Sequence, residues 1–428
     1  MKIYFVSMGC AKNTADSEHL TAQLEALGHT ITDSPDNADI AIINTCGFIQ
    51  DAVKENIDAI LDLESLKQQG VIKNIIVAGC LVNRYEKELR EELSQTVDLF
   101  VRSEEWDKVI SFLGGTYNAN CQSVSHPIDH HFWTRYLKIS EGCNTLCSYC
   151  AIPMIRGKLR SVPVRQLVSE ALMLCAAGAK ELCLVGQDLT VYGQDIGSTL
   201  RELVSALNSE LPEGIWLRLL YLHPNRIDEA LIDFLLTQRH VLHYLDVPIQ
   251  HADPDILARM NRPSPEGHMR RIFSYIREQA PMFTLRTTIM TGFPGEKESQ
   301  FQHVMDFVSD VEFDRLGVFV YSPEDGTEAA KFPGRVSRKT AESRCTRLTE
   351  LQAEIAHERS SLFIGRELDV LVEDIDSESG ELWGRSYRDA PEVDGMVCVS
   401  GTMSVKPGNI VRVEIQDCNE NDLFGEKR

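Results

Sequence analysis

The chain has 428 residues, with 64 Asp+Glu against 43 Lys+Arg, a formal charge of −21 and 12 cysteines. A composition of 43% hydrophobic and 25% charged residues excludes disordered, collagen-like and low-complexity classes, and at roughly 100–200 residues per domain the length suggests two to four domains. The acidity argues against a phosphate backbone as the main partner, and no apolar run nears the roughly 18–20 residues of a membrane span.

The N-terminal MKIYFVSMGC has neither the h-region nor the cleavage site of a signal peptide. The expectation is a cytoplasmic chain with no membrane partner, whose thiols serve metal binding or catalysis rather than disulfides.

The first 125 residues repeat apolar run, loop and helix. Ile3–Ser7 reads as a strand, and Asp16–Leu27 as a helix with Leu20, Leu24 and Leu27 at helical spacing. A second pair is Asp39–Asn44 with Gly47–Leu66, and a third Asn74–Ala78 with Arg84–Leu93. Near-continuous apolar strands alternating with helices imply a parallel sheet covered on both faces. Gly114 to Trp133 is polar and aperiodic and reads as a linker. Its His126, His130 and His131 read as solvated loop residues rather than a metal site.

Alternation then resumes on a larger scale. Predicted strands are Arg135–Ser140, Glu181–Val185, Trp216–Tyr221, Leu242–Val247, Thr284–Met290 and Arg315–Tyr321. Predicted helices between them are Arg165–Ala177, Leu200–Leu207, Asp228–Leu236, Gly267–Gln279 and Ser299–Ser309. Six such units suggest a partial TIM-like barrel with its site at the strand C-termini. A doubly wound sheet satisfies the same periodicity. After a long helix over Ser337–Phe363, the segments Glu367–Glu373, Glu381–Tyr387, Met396–Val399 and Ile410–Gln416 alternate as short strands of a small antiparallel β-barrel. The expected α/β multidomain layout is thus an N-terminal α/β domain at 1–125, a barrel domain at 126–363 and a β-barrel at 364–428.

The strongest local signal is Glu141-Gly-Cys143-Asn-Thr-Leu-Cys147-Ser-Tyr-Cys150, just after the first barrel strand. Soft thiolates favour iron–sulfur or zinc, yet zinc and [4Fe–4S] sites normally take four protein ligands. With three, one iron keeps an open position, useful only if something binds there. A second set is Cys10, Cys46 and Cys80, each following one of the three N-terminal strands. Strand ends of a parallel sheet lie side by side, so the three can converge on one point. Cys121, Cys175, Cys183, Cys345, Cys398 and Cys418 show no usable spacing and receive no ligand role.

The C-x3-C-x-aromatic-C loop, with Tyr149 as the aromatic, resembles the radical S-adenosylmethionine (SAM) superfamily. That resemblance implies a cluster whose open iron chelates SAM. It places Gly186-Gln187-Asp188 near the methionine amino group, Pro248-Ile-Gln250-His251 near ribose and carboxylate, and Gly292-Phe-Pro-Gly295-Glu296 near adenine. With the second thiol set and the all-β tail, nearly the whole chain resembles the methylthiotransferases. The resemblance implies two [4Fe–4S] clusters, the auxiliary one on Cys10, Cys46 and Cys80, and the SAM cluster on Cys143, Cys147 and Cys150. It also implies two uses of SAM, as methyl donor and as radical source, an external electron donor and sulfur source, a C-terminal TRAM domain and a monomer.

Most branches of that family modify a tRNA adenosine, and one modifies an aspartate β-carbon of small-subunit ribosomal protein twelve. Ser7-Met-Gly-Cys10-Ala-Lys-Asn13, Asp16-Ser-Glu18, Asn44-Thr-Cys46-Gly-Phe-Ile49, Ile152-Pro-Met-Ile-Arg156-Gly-Lys158 and the Gly384–Gly395 segment resemble the protein-modifying branch, with Ala11 replacing an expected proline. From Ile364 onward there are 7 Lys+Arg and 15 Asp+Glu. A tRNA-gripping barrel should be basic, whereas an acidic one suits a basic protein. The alternatives are a tRNA methylthiotransferase with the same clusters and a non-catalytic iron–sulfur module that docks on ribosomes. Lys12, Asn13 and Asp16 could shape the auxiliary pocket or simply start a helix.

Overall fold

The computed structural model describes residues 1–118, 124–125, 133–265, 267–401 and 405–428. Cys121, His126, His130 and His131 lie outside the described residues. The N-terminal unit runs β1 (Lys2–Ser7), α1 (Ala11–Ala26), β2 (Thr30–Thr32), β3 (Ile40–Thr45), α2 (Gln50–Gln68), β4 (Asn74–Gly79), α3 (Cys80–Leu93), β5 (Leu99–Val101) and α4 (Trp106–Phe112). Its five strands are parallel, in the order β2-β1-β3-β4-β5. Two more strands are present than the periodicity predicts; β2 and β5 have three residues each, too few to show a period.

β3 is buried at every position because alternate residues face opposite helical layers. Ala41 and Ile43 pack with Ile60, Leu63 and Leu81 of α2 and α3. Ile40 and Ile42 pack with Leu20 and Leu24 of α1 and Val109 and Ile110 of α4. Each such aliphatic side chain contributes roughly 1.5–3 kcal/mol by leaving water.

The central unit contains β6 (Thr134–Lys138), β7 (Ser140–Glu141), α5 (Ile152–Ile155), β8 (Arg160–Ser161), α6 (Val164–Ala176), β9 (Glu181–Val185), α7 (Leu200–Glu210), β10 (Trp216–Leu219), α8 (Glu229–Leu236), β11 (Val241–Asp246), α9 (Pro254–Arg259), α10 (His268–Gln279), β12 (Thr284–Thr291), α11 (Glu298–Val311), β13 (Arg315–Val320) and α12 (Arg338–Ser361). Six parallel strands lie in sequence order, β6-β9-β10-β11-β12-β13. No reversal of strand order occurs, which rules out the doubly wound alternative and leaves the open barrel.

The C-terminal unit is β14 (Glu367–Ile375), β15 (Leu382–Arg385), β16 (Val397–Ser400), β17 (Ile410–Cys418) and β18 (Leu423–Lys427), a closed barrel in the order β14-β15-β16-β18-β17. It differs from the expected antiparallel barrel in two ways. A fifth strand, β18, closes it, and β18 pairs parallel with β16 while the other four pairings are antiparallel. β17 doubles back along β14 and hands β18 to the free side of β16, so those two run together.

Residues 385–394 leave this small barrel and fill the concave face of the central sheet, touching all six strands. Arg385 donates to Thr134 (2.6 Å) and Glu181 (2.7 Å), and Arg218 donates to the Tyr387 carbonyl (2.9 Å). Tyr136 donates to Glu392 (2.9 Å) and Tyr244 to Asp394 (2.7 Å). Arg286 reaches Asp394 at 3.3 Å and Arg315 reaches Asp389 at 2.7 Å. The Gly384–Gly395 segment is therefore shaped by packing inside the sheet.

Candidate functional site

The strand C-termini of the first two units open onto one cavity of about 370 Å³. All six predicted ligand thiols line it: Cys10, Cys46 and Cys80 from one unit, and Cys143, Cys147 and Cys150 from the other. Tyr149, Gln187, Asp188 and Gln250 line it as well. Gly186 and Gly292 do not. Gly186 lies behind Gln187, against the Ser140 side chain, and Gly292 lies against Ala341 of α12. The other described cysteines are outside the cavity, and all eleven described cysteines are free thiols.

Local geometry brings the first triad together. Cys10 caps α1, its carbonyl accepting from the Asn13 and Thr14 amides at 2.7 and 3.1 Å. Cys80 opens α3 behind Gly79, whose φ is +100°. A methyl at Gly79 would come within 2.4 Å of Asn44 Oδ1, so the β3 and β4 ends meet only because no side chain is there. Gly9, at φ +105°, lets the β1 end approach Cys46 in the same way; a methyl there would sit 2.8 Å from the Cys46 Cβ. Asn13 ties these ends, donating to the Met8 and Thr45 carbonyls at 2.8 and 3.0 Å.

Arg156, just C-terminal to α5, joins the two units. Its Nε lies 3.0 Å from Cys80 Sγ, while its other nitrogens bind Asn13, Asp16 (2.7 Å) and Glu141 (2.8 Å). Lys138 bonds the same two carboxylates, Asp16 and Glu141 (2.9 Å). Gln187 donates to Glu141 at 2.9 Å. On the second triad, Arg262 Nη1 lies 3.6 Å from Cys147 Sγ, and Nη2 donates to the Pro248 carbonyl at 2.8 Å. Sequence reasoning quoted Arg156 without a role and missed Arg262, Tyr221 and His223, all of which line the cavity. The only sequence signal was an arginine soon after a cysteine loop; which thiol it meets depends on α5 and α9 packing.

Electrostatics separate the thiols. Burial opposes ionisation of Cys10, but the Lys12 charge, the Asn13 and Lys12 amides and Arg156 together bring it below its ordinary value. Burial pushes Cys80 up to about 11 against the pull of Arg156, and Cys150 up to about 12. A metal overrides such penalties, because it deprotonates the thiol it binds. Burial, then Arg262 and Arg226, hold His223 down to about 2, so its ring is neutral. Its Nδ1 accepts from the Asn225 amide at 3.3 Å, which puts the proton on Nε2.

Among the described residues, no three His, Cys, Asp or Glu side chains converge on a single ion. A cubane cluster instead spreads its thiolates over separate irons, so its ligands stand further apart than those of one ion. The donor set fits two such clusters and an organic ligand beside them. Gln187 Oε1, Gln250 Oε1, His223 Nε2 and Arg262 Nε are buried without partners among the described residues and belong to residues lining this cavity. Buried polar atoms left unmet mark places where a ligand completes the bonding. Tyr221 and Gln250 also hold left-handed backbone, with φ of +64° and +69°, a cost that clusters at ligand sites.

Comparison with known proteins agrees with this arrangement. Residues 2–101 match the family described as Uncharacterized protein family UPF0004, 137–308 the Radical SAM superfamily, and 364–427 the TRAM domain. The ribosomal protein uS12 methylthiotransferase RimO of Geobacter sulfurreducens is 40% identical over 99% of this chain and 98% of its own. The RimO of Aquifex aeolicus is 40% identical over 99% and 97%. The chain belongs to the RimO family. Among solved structures, the radical SAM methyltransferase TsrM of Kitasatospora setae, with tryptophan and a SAM analogue bound, overlays with a TM-score of 0.57 at 13% identity, over 84% of this chain and 90% of that one. The cobalamin-dependent radical SAM enzyme OxsB overlays at 0.54 and 13%, over 83% and 56%. These two likenesses speak for the fold alone. As a RimO-family chain with a radical SAM domain, the protein is a SAM-dependent methylthiotransferase that uses iron–sulfur clusters.

Proposed function

We propose that this enzyme places a methylthio group on the β-carbon of an aspartate in small-subunit ribosomal protein uS12. The observation that carries the reading is one cavity lined by two separate triads of cysteines. Cys143, Cys147 and Cys150 would hold the SAM cluster, and Cys10, Cys46 and Cys80 the auxiliary cluster. When bound, these groups supply one-electron reduction of SAM, hydrogen abstraction from an unactivated carbon, and the sulfur that fills the vacancy.

The chain's own residues position and shield. Gln187 and Gln250 present carbonyl oxygens suited to an ammonium and to hydroxyls, while Arg262 and His223 present N–H donors suited to a carboxylate. Tyr149 and Asp188 complete the proposed SAM surroundings, with Gly186 and Gly292 shaping the strand-end loops behind the cavity wall. Phe48, Ile152, Leu222 and Pro248 make apolar wall, which keeps water from a reactive centre. The expected division is 1–125, 126–363 and 364–428, acting as a cytoplasmic monomer with an external electron donor and sulfur source. No described helix is long and apolar enough to cross a membrane.

The alternative, a tRNA adenosine substrate, is disfavoured by the acidic C-terminal barrel. Mass spectrometry of uS12 and of tRNA nucleosides, from cells with and without the gene, tests the choice. The expected result is loss of a methylthio mass from uS12 with tRNA unchanged. Loss of methylthioadenosine with uS12 still modified would reject it.

A further inference from the structure

Cavity cations fall into two groups. Arg262 lies against Cys147 and is bonded to the Pro248 carbonyl. Arg156 is met by Asp16 and Glu141. Lys12, two residues past Cys10, is different. Its Nζ stands 3.8 Å from the centroid of the Tyr221 ring, and among the described residues it forms no ion pair with a carboxylate. Glu141, the carboxylate whose field reaches Lys12, is already engaged by Lys138, Arg156 and Gln187.

The Tyr221 shelf is built and not incidental. Its left-handed backbone is fixed by Asp246, which accepts from the Tyr221 amide at 3.0 Å and from Arg286 at 2.9 Å. Lys138 and Arg156 carry two positive charges against the two negative charges of Asp16 and Glu141, so Lys12 adds a cation to an internally balanced group.

We propose that Lys12 is a specificity-determining residue that receives the side-chain carboxylate of the acceptor aspartate. The assignment rests on the function proposed above and deepens it. An ammonium held over a ring face keeps the donors that point away from the ring available for an entering carboxylate, while the ring stabilises the charge before the substrate arrives. A carboxylate pinned at Lys12 presents the adjacent β-carbon between the two triads. A neutral amide in its place would leave the ammonium unmatched.

The test uses anaerobically reconstituted full-length enzyme and two forms of full-length uS12, one with the acceptor aspartate and one with asparagine there. Binding is read by fluorescence anisotropy, alongside iron content and 5′-deoxyadenosine formed without uS12. The wild type should bind the aspartate form about 10- to 100-fold more tightly, as a charge-assisted hydrogen bond implies. Lys12→Gln should erase that preference and Lys12→Arg should keep part of it, while substrate-free SAM cleavage, which rests on the Cys143, Cys147 and Cys150 triad, should continue. A preference that survives Lys12→Gln overturns the assignment, as does a wild type that binds both forms alike. A variant that loses iron or SAM cleavage instead makes Lys12 a counter-ion of the cluster or of SAM, and also overturns it. Failure of the function itself reads differently: the wild type would leave the aspartate form unmodified while thiolating tRNA.

Discussion

Arg156 is the residue on which the two halves of the site meet. It spends its nitrogens on a thiol, an amide oxygen and two carboxylates, all within a corner where its own side chain is 2% exposed. Removing it leaves the buried Asp16 and the half-buried Glu141 with Lys138 as the one cation they share among the described residues. Arg156→Ala should therefore cost about 3–5 kcal/mol, seen as a lower urea midpoint of the cluster-free protein. Arg156→Lys should cost less, since it keeps the charge and loses the fork. The triads make a second expectation at this scale. Cys10→Ala, Cys46→Ala or Cys80→Ala should retain about four of about eight irons per chain. Such variants should still cleave SAM and form no methylthio product, whereas Cys147→Ala should end both. Iron assay and chromatography of 5′-deoxyadenosine read these outcomes. The cysteines were legible in sequence because three followed strands and three shared a tight spacing. Arg156 was not, because its partners lie 15, 76, 140 and 143 residues away.

At the level of elements, strand ends do the positioning. β1, β3 and β4 deliver one thiol each only where their ends come nearer than side chains allow, at Gly9 and Gly79. Gly79→Ala combines a positive φ with a 2.4 Å approach to Asn44 Oδ1, which must then give way. The expected outcome is a loss of about 1–3 kcal/mol and weaker retention of the auxiliary cluster, with the SAM cluster intact. Electron paramagnetic resonance of the reduced protein resolves the two. Two of the three helices that follow these strands start earlier than the periodicity predicts, α1 at Ala11 rather than Asp16 and α3 at Cys80 rather than Arg84, while α2 starts later, at Gln50 rather than Gly47. Neither α1 nor α3 has a side-chain cap to announce its start, since their N-caps are Cys10 and Gly79. The loop after Cys46 is held from the other unit, where Glu324 accepts from Arg84 (3.0 Å) and from the Gln50 amide (3.2 Å).

Across the whole molecule, the C-terminal unit is part of the barrel it follows. Glu181, fully buried, accepts from Arg218 at 2.6 Å, Arg385 at 2.7 Å and Thr134 at 3.0 Å. Burial alone would raise its pKa, but Arg218 and Arg385 overcome that and bring it from 4.5 to about 2. A depressed acid contributes stability above its unfolded pKa and loses it as pH falls through the folded one. The contribution is about 3 kcal/mol, present above pH ~4.5 and lost between there and pH ~2. Glu181→Gln should lower the pH 7 urea midpoint of cluster-free protein and flatten its fall below pH 4.5; an unchanged acid slope would mean Glu181 does not carry it. Pairing of Arg385 with Glu181, of Asp389 with Arg315 and of Asp394 with Arg286 removes both signs of charge from the tail's surface, so its remaining acidity still faces outward.

The sequence by itself determined what is local or periodic. Runs of alternating and continuous apolar residues set the three architectures, and cysteine spacing set the metal chemistry, because both are written within a few turns of chain. Tertiary structure alone decided which charges meet. Arg218, Arg286 and Arg315 stand inside a sheet where arginine needs a carboxylate. Nothing near them in the chain supplies all of those partners, and residues 385–394 complete the set from well over a hundred residues beyond the first of them. The same holds at the cavity, where Lys12 was one polar residue after a cysteine until the fold set it over Tyr221, with Glu141 already engaged by Lys138, Arg156 and Gln187.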